Sequence, residues 1–309
     1  MLFHKLLLCL MLVPLMASAI TVQDDRGEPV QLSRPAERVA SVSTFGADLL
    51  LALGMKPAAI TRFGPFDQPD YLAGSLQGVP VIGSRSQVNM ELLSEVAPDL
   101  VLAIRRYTEK DASRFAEIAP YAALNLVTLN DSIRAVSIAG ELVGRTVDAE
   151  QINRSFQRQL ETYRKQAPGG LSAALLVTGG EAPFIYYDHF LTAELLNWLN
   201  VDNLGGELSE PEQGLPLGYR IRLEDLLKQN PDVIFLFESN KERAFTQNPI
   251  WPYLKAVRRG QVYEVGQHWK EAAGPIARSL VLQEMAHRLY PELFTMPELP
   301  ESLRSKPYR

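Results

Sequence analysis

The chain is 309 residues long, 46% hydrophobic and formally charged −5 at neutral pH. That length can bury one large core or two medium ones. The acidic balance, with no Lys/Arg-rich run, argues against a nucleic-acid partner.

The first nineteen residues, MLFHKLLLCLMLVPLMASA, place a basic Lys5 before an apolar run from Leu6 to Met16 and close on Ala17-Ser18-Ala19. The run is too short to span a bilayer and ends in an A-x-A pattern, so residues 1–19 read as a cleaved signal peptide. The mature chain is expected to start at Ile20 and to be soluble in the periplasm. Lipidation at Cys9 is disfavoured because that residue sits in the middle of the apolar run, not at its end. Losing Lys5 takes the net charge from −5 to −6, and losing Cys9 removes the single cysteine. Cysteine-ligated metal and disulfides are thereby excluded from the mature protein.

Further along, two segments are written twice in the same order. Residues 47–55, ADLLLALGM, match residues 193–201, AELLNWLNV, each a short helix with an acidic residue in its first turn. Residues 91–103, ELLSEVAPDLVLA, match residues 224–236, EDLLKQNPDVIFL. Glu91 precedes Pro98 by seven residues, as Glu224 precedes Pro231, so each copy is a helix stopped before a proline. A continuous apolar run follows, as in strands buried on both faces.

The pattern predicts strands at Val39–Val42, 58–61, Leu100–Ile104 and 125–128, then at 173–178, Val233–Phe237 and Val262–Val265. Helices alternate with them. The fold class is therefore α/β: two Rossmann-like lobes with mostly parallel sheets, at 20–146 and 168–309. Between them, residues 147–167 predict one long helix. Asp148 and Gln151 resemble a capping box, Ile152, Phe156, Leu160 and Tyr163 share a face, and Pro168-Gly169-Gly170 stops it. Roughly 20 residues at 1.5 Å each span about 30 Å, enough to run along both lobes and limit their hinging.

Five segments in order carry a resemblance over nearly the whole mature chain: RVASVSTFGADLLLALGMKPAAI, GVPVIGSRSQVNMELLSEVAPDLVLA, FLTAELLNWLNVDNLGG, LKQNPDVIFLF and IWPYLKAVRRGQVYEVGQHWKEAAGP. Together they resemble periplasmic binding proteins of ABC importers for siderophores, haem and cobalamin, which have a single backbone helix. The resemblance implies a monomer that captures a chelate and hands it to an inner-membrane ABC permease, without catalysis. It also implies that Glu91 and Glu224, one per lobe, dock on permease arginines. Two carboxylates at matching positions on like lobes also suit a two-fold partner.

Ligands of open α/β sheets sit beyond the carboxyl ends of the strands. In the first lobe those ends carry Thr44 and Phe45, Arg62 and Phe63, and Arg105, Arg106 and Tyr107, with Arg85 in the loop before the Glu91 helix. In the second they carry Phe184, Tyr186 and Tyr187, Glu238, and His268 and Trp269, with Arg220 and Arg222 after Gly214. One of Tyr186 and Tyr187 faces the cleft, and the sequence leaves open which. The resemblance places a cleft tryptophan at Trp269. The candidate ligand set is Arg62, Arg85, Arg105, Arg106, Tyr107, Tyr186 and Trp269.

Arginines on an otherwise acidic protein point to a ferric catecholate, carboxylate or hydroxamate chelate. Haem is the alternative: haem-binding relatives often carry a tyrosine where this chain reads Gly83-Ser84-Arg85, which lowers haem, but Tyr107, Tyr186 or His268 could ligate it. Cobalamin would not need several arginines. No cofactor or protein-held metal is expected, since His189, His268 and His287 lack ligand spacing. A secreted α/β enzyme is the remaining alternative. Asp188-His189 has no accompanying nucleophile, and no G-x-S-x-G, Walker or G-x-G-x-x-G motif appears.

Overall fold

The computed structural model describes residues 19–308 except 63, 65–68, 73, 178–179, 209–215 and 238–242. The signal-peptide reading, Phe63 and Glu238 lie outside the described residues.

The chain opens with an antiparallel hairpin, β1 (Ile20–Gln23) and β2 (Pro29–Leu32). There follow β3 (Val39–Val42), α1 (Thr44–Ala52), β4 (Ala59–Arg62), β5 (Val81–Ser84), β6 (Gln87–Val88) and α2 (Met90–Val96). Next come β7 (Leu100–Ile104), the short α3 (Arg105–Thr108) and α4 (Ala112–Ala116), β8 (Tyr121–Leu124), and α5 (Leu129–Leu142). The first sheet has the order β6-β5-β4-β3-β7-β8 and is parallel except at β6.

Helix α6 (Thr146–Gln166) separates that sheet from the second. Its buried residues Ala149, Asn153, Phe156 and Leu160 recur at helical spacing. The second sheet takes β9 (Leu171–Val177), β10 (Phe184–Tyr186), then α7 (Leu191–Trp198), β11 (Val201–Asn203), β12 (Gly218–Arg220) and α8 (Leu223–Gln229). It is completed by β13 (Val233–Phe237), α9 (Lys255–Arg258), β14 (Val262–Val265), α10 (Pro275–Leu289) and β15 (Lys306–Pro307). Strands β11, β9, β13 and β14 pair in parallel, while β10, β12 and β15 pair antiparallel at the margins.

Strand period explains how two sheets become one body. Leu100 and Leu102 of β7, with Leu175, Phe235 and Phe237 of the second sheet, all point into one apolar cluster. The alternate residues Val101 and Ala103 pack outward with Leu93 of α2, and Ile234 and Leu236 pack outward with Leu226 of α8. Both faces of each central strand are dry, hence the unbroken apolar runs. The shared cluster crosses the lobe boundary, so hinging the lobes apart would expose core.

Two local readings are corrected. Residues 125–128 are not a strand: β8 lies four residues earlier, and Thr128 caps α5. Its hydroxyl accepts from the Asp131 N–H at 3.0 Å while the Asp131 carboxylate accepts from the Thr128 N–H, a reciprocal box written as Thr-Leu-Asn-Asp. The box expected at Asp148 and Gln151 does not form, because α6 begins at Thr146 with Arg145 as N-cap and Asp148 already inside the first turn.

The doubled plan extends to the helix ends. Helix α2 stops on Ala97 (φ 47°) and α8 on Asn230 (φ 51°), both left-handed and both followed by proline. The acidic residue of the other repeat serves a purpose that crosses the lobes. Asp48 is the fifth residue of α1, not in its first turn as expected, and it is fully buried. It accepts from the N–H groups of Ile276 (2.8 Å) and Ala277 (2.9 Å) at the start of α10, and from the Tyr71 hydroxyl (2.9 Å). Its counterpart Glu194 in α7 accepts from the Leu129 N–H (3.0 Å), the first residue of α5. Each lobe thus supplies a carboxylate to a helix start that follows the cleft wall.

Candidate ligand cleft between the lobes

A cleft of about 600 Å³, open to solvent, lies where the carboxyl ends of β3, β7 and β8 face the second lobe. Ser43, Thr44 and Phe45 line it after β3, Arg85 after β5, Ile104, Arg106 and Tyr107 at the end of β7, and Leu126 and Val127 after β8. Tyr186, Phe190, Leu217, Lys270, Glu271 and Ala273 line the opposite wall.

The cations are built around Tyr107. The Arg85 guanidinium lies 4.6 Å from its ring centroid and that of Arg106 lies 5.4 Å away. Burial, together with the nearby Arg106 charge, lowers the pKa of Arg85, and burial beside Arg85 lowers that of Lys270. Arg85 is ion-paired to Glu271, whose other oxygen accepts from Thr44 Oγ1 at 2.6 Å. Three cations and one carboxylate therefore stand among the described lining residues. The facing wall is aromatic: Tyr186 stacks on Phe190 at 4.2 Å and meets Phe184 and Phe237 edge-on. Burial pushes the Tyr186 phenol upward, which keeps it a neutral hydrogen-bonding group.

Of the sequence-selected residues, Arg85, Arg106, Tyr107 and Tyr186 converge here. Tyr186 is the tyrosine at the cleft, while Tyr187 turns to Tyr219 (5.2 Å) and His189 (5.9 Å). Three others do not converge. Arg62 ends β4 exposed and is not among the lining residues. Arg105 bonds Glu109 through Nε and Nη2, both at 3.0 Å, and also donates to the Asp25 carbonyl. Arg105 opens helix α3, so it and Arg106 point about 100° apart and only the second reaches the cleft.

Trp269 is fully buried: its Nε1 donates to Glu284 at 2.6 Å and its ring packs on Phe235 at 4.9 Å. His268 beside it is buried against the same carboxylate at 3.3 Å. Arg220 and Arg222 are exposed, the latter paired with Asp225. Among the described residues, no group of three or more His, Cys, Asp or Glu is arranged for a metal ion, and no helix is long and apolar enough to cross a membrane.

The sequence reading passed over Lys270, Glu271 and Phe190. The first two directly follow Trp269, so the right segment was identified but the side chains that face the cleft were not. Glu91 and Glu224 are not among the described lining residues: both are exposed, in the first turns of α2 and α8.

A family model described as periplasmic binding protein matches residues 39–268. The chain belongs to the periplasmic binding protein family. A putative ABC transporter substrate-binding lipoprotein of Bacillus subtilis, YhfQ, is 28% identical to this chain over 262 residues, covering 80% of each chain. The Fe(3+) dicitrate-binding periplasmic protein FecB of Escherichia coli is 26% identical over 285 residues, covering 87% of this chain and 89% of its own. The solved siderophore-binding protein BauB, bound to two acinetobactin molecules and ferric iron, superposes with a TM-score of 0.73. It is 19% identical and covers 89% of this chain and 100% of its own.

Proposed function

We propose that this chain captures an anionic ferric chelate in the inter-lobe cleft and presents it, chemically unchanged, to an inner-membrane ABC permease. The observation that carries the reading is the pair of guanidinium groups on Tyr107 facing the Tyr186–Phe190 stack. Planar cations meet the oxygen donors of a catecholate, carboxylate or hydroxamate complex, and the aromatic wall covers its apolar arms. Relatives named for ferric dicitrate and for achromobactin support the same ligand class.

A binding role is favoured over catalysis because the described lining residues include no histidine and a single carboxylate, itself engaged by Arg85 and Thr44. Glu91 and Glu224 are assigned to permease docking, supported by their exposure at matching helix starts. Export with cleavage after Ala19 belongs to the same proposal, as does action as a monomer.

The test is a calorimetric screen of the purified mature protein against ferric citrate, catecholate and hydroxamate chelates, with haemin and cobalamin alongside. Binding of one or more anionic ferric chelates, more tightly than their iron-free forms, is expected. Binding of haemin or cobalamin with no response to any ferric chelate would overturn the ligand class.

A further inference from the structure

The cleft is not uniformly cationic. Glu271 reaches across from the second lobe to two elements of the first, taking the Thr44 hydroxyl at the start of α1 and the Arg85 guanidinium beyond β5. Their side chains are 28% (Arg85) and 21% (Glu271) exposed, so the pair is screened by water less than a surface pair. Arg85 is also held by the face of Tyr107, which Arg106 approaches as well. Lys270 precedes Glu271 in the chain and lines the same cleft. Among the described lining residues, one carboxylate is thus set among three cations.

We propose that Glu271 is a resident counter-ion that sets how much negative charge a ligand must carry to be held in this cleft. The inference rests on the chelate-capture reading and deepens it. A ligand with one anionic group gains little at Arg85, because it exchanges one carboxylate for another while losing its own freedom of motion. A multiply charged chelate engages Arg106 and Lys270 as well, and so outcompetes the internal partner. Charge, rather than shape alone, then separates ligands.

Glu271→Gln keeps the shape and a carbonyl acceptor for Thr44 but removes the charge, while Tyr107 still holds Arg85. The probes are a trianionic ferric tris-catecholate and an uncharged ferric trihydroxamate, titrated by calorimetry at low and high salt. The variant is expected to bind the trianion at least about tenfold more tightly and with a steeper salt dependence, while the uncharged complex changes less than about twofold. Thr44→Val, which cuts the bridge without altering charge, shifts both affinities together.

Unchanged or weaker binding of the trianion overturns the proposal, as does an equal gain for both chelates or a Thr44→Val variant that reproduces the charge preference. If the wild type binds neither ferric chelate, the capture reading falls for these classes, and iron-free citrate decides the counter-ion separately. A larger rise in melting temperature with citrate than with chloride at matched ionic strength, in the variant over wild type, supports it. Equal responses overturn it.

Discussion

Gly274 offers a perturbation whose sign is set by one carboxylate in the other lobe. Its backbone is ordinary (φ −69°, ψ 149°), so what it needs is space, not conformational freedom. A Cβ built there meets Asp48 Cγ at 2.2 Å and Oδ2 at 2.4 Å, because Asp48 occupies the place of an N-cap side chain. Pro275 fills the first helical position, where no N–H is needed, and the Ile276 and Ala277 N–H groups go to Asp48.

Gly274→Ser in the wild-type background must therefore drive the carboxylate off the helix. Overpacking of about 1–3 kcal/mol and a lost cap of about 0.5–2 kcal/mol together predict a loss of roughly 1.5–5 kcal/mol. In an Asp48→Ala background the same serine finds room and caps α10 itself, so it stabilises, by roughly a few tenths of a kcal/mol since glycine is itself a fair N-cap. Thermal and urea denaturation of the four proteins of the cycle measure both terms. A serine that destabilises equally in both backgrounds would refute the cross-lobe cap.

Three further outcomes are expected. Burial outweighs its hydrogen bonds and lifts the Asp48 pKa from 3.8 to about 6. A raised pKa contributes stability that is complete below 3.8 and lost as pH climbs through about 6. Wild-type stability measured relative to Asp48→Asn should accordingly fall by roughly 3 kcal/mol between pH 3.8 and 7, and a flat difference would show that the cap bonds cancel the burial. Arg106→Ala should weaken chelate binding at least about tenfold in a calorimetric titration, since one lost charge-assisted bond is worth about 1.5–3 kcal/mol, whereas Arg105→Ala should change it less than about twofold. Charge reversal at both Glu91 and Glu224 should abolish uptake in cells while ligand affinity stays within about threefold, under about 0.7 kcal/mol, and a large affinity loss would contradict the docking assignment.

The central strands were legible because a strand dry on both faces must be apolar throughout, and the prolines after α2 and α8 mark where each begins. Strands β3, β7, β13 and β14 fall on their expected residues for that reason. The short marginal strands β10, β12 and β15 were not legible, since two or three residues carry no period, and β12 and β15 pair with strands distant in the chain. The doubled plan was visible as paired motifs, but the reach of Asp48 and Glu194 into the opposite lobes was not, because the sequence does not record which helix start lies nearby.

By itself, then, the sequence determined the local chemistry: where helices stop, which runs are buried, that arginines and tyrosines gather at strand ends, and that two lobes share one plan. Tertiary structure alone decided which of those side chains meet. Helical phase turned Arg106 to the cleft and Arg105 to Glu109, a buried carboxylate drew Trp269 into the core, and Glu271 found Arg85 from 186 residues away. Each of these is a direction in space fixed by packing between segments distant in the chain, and residue type and spacing do not encode a direction until those segments are brought together.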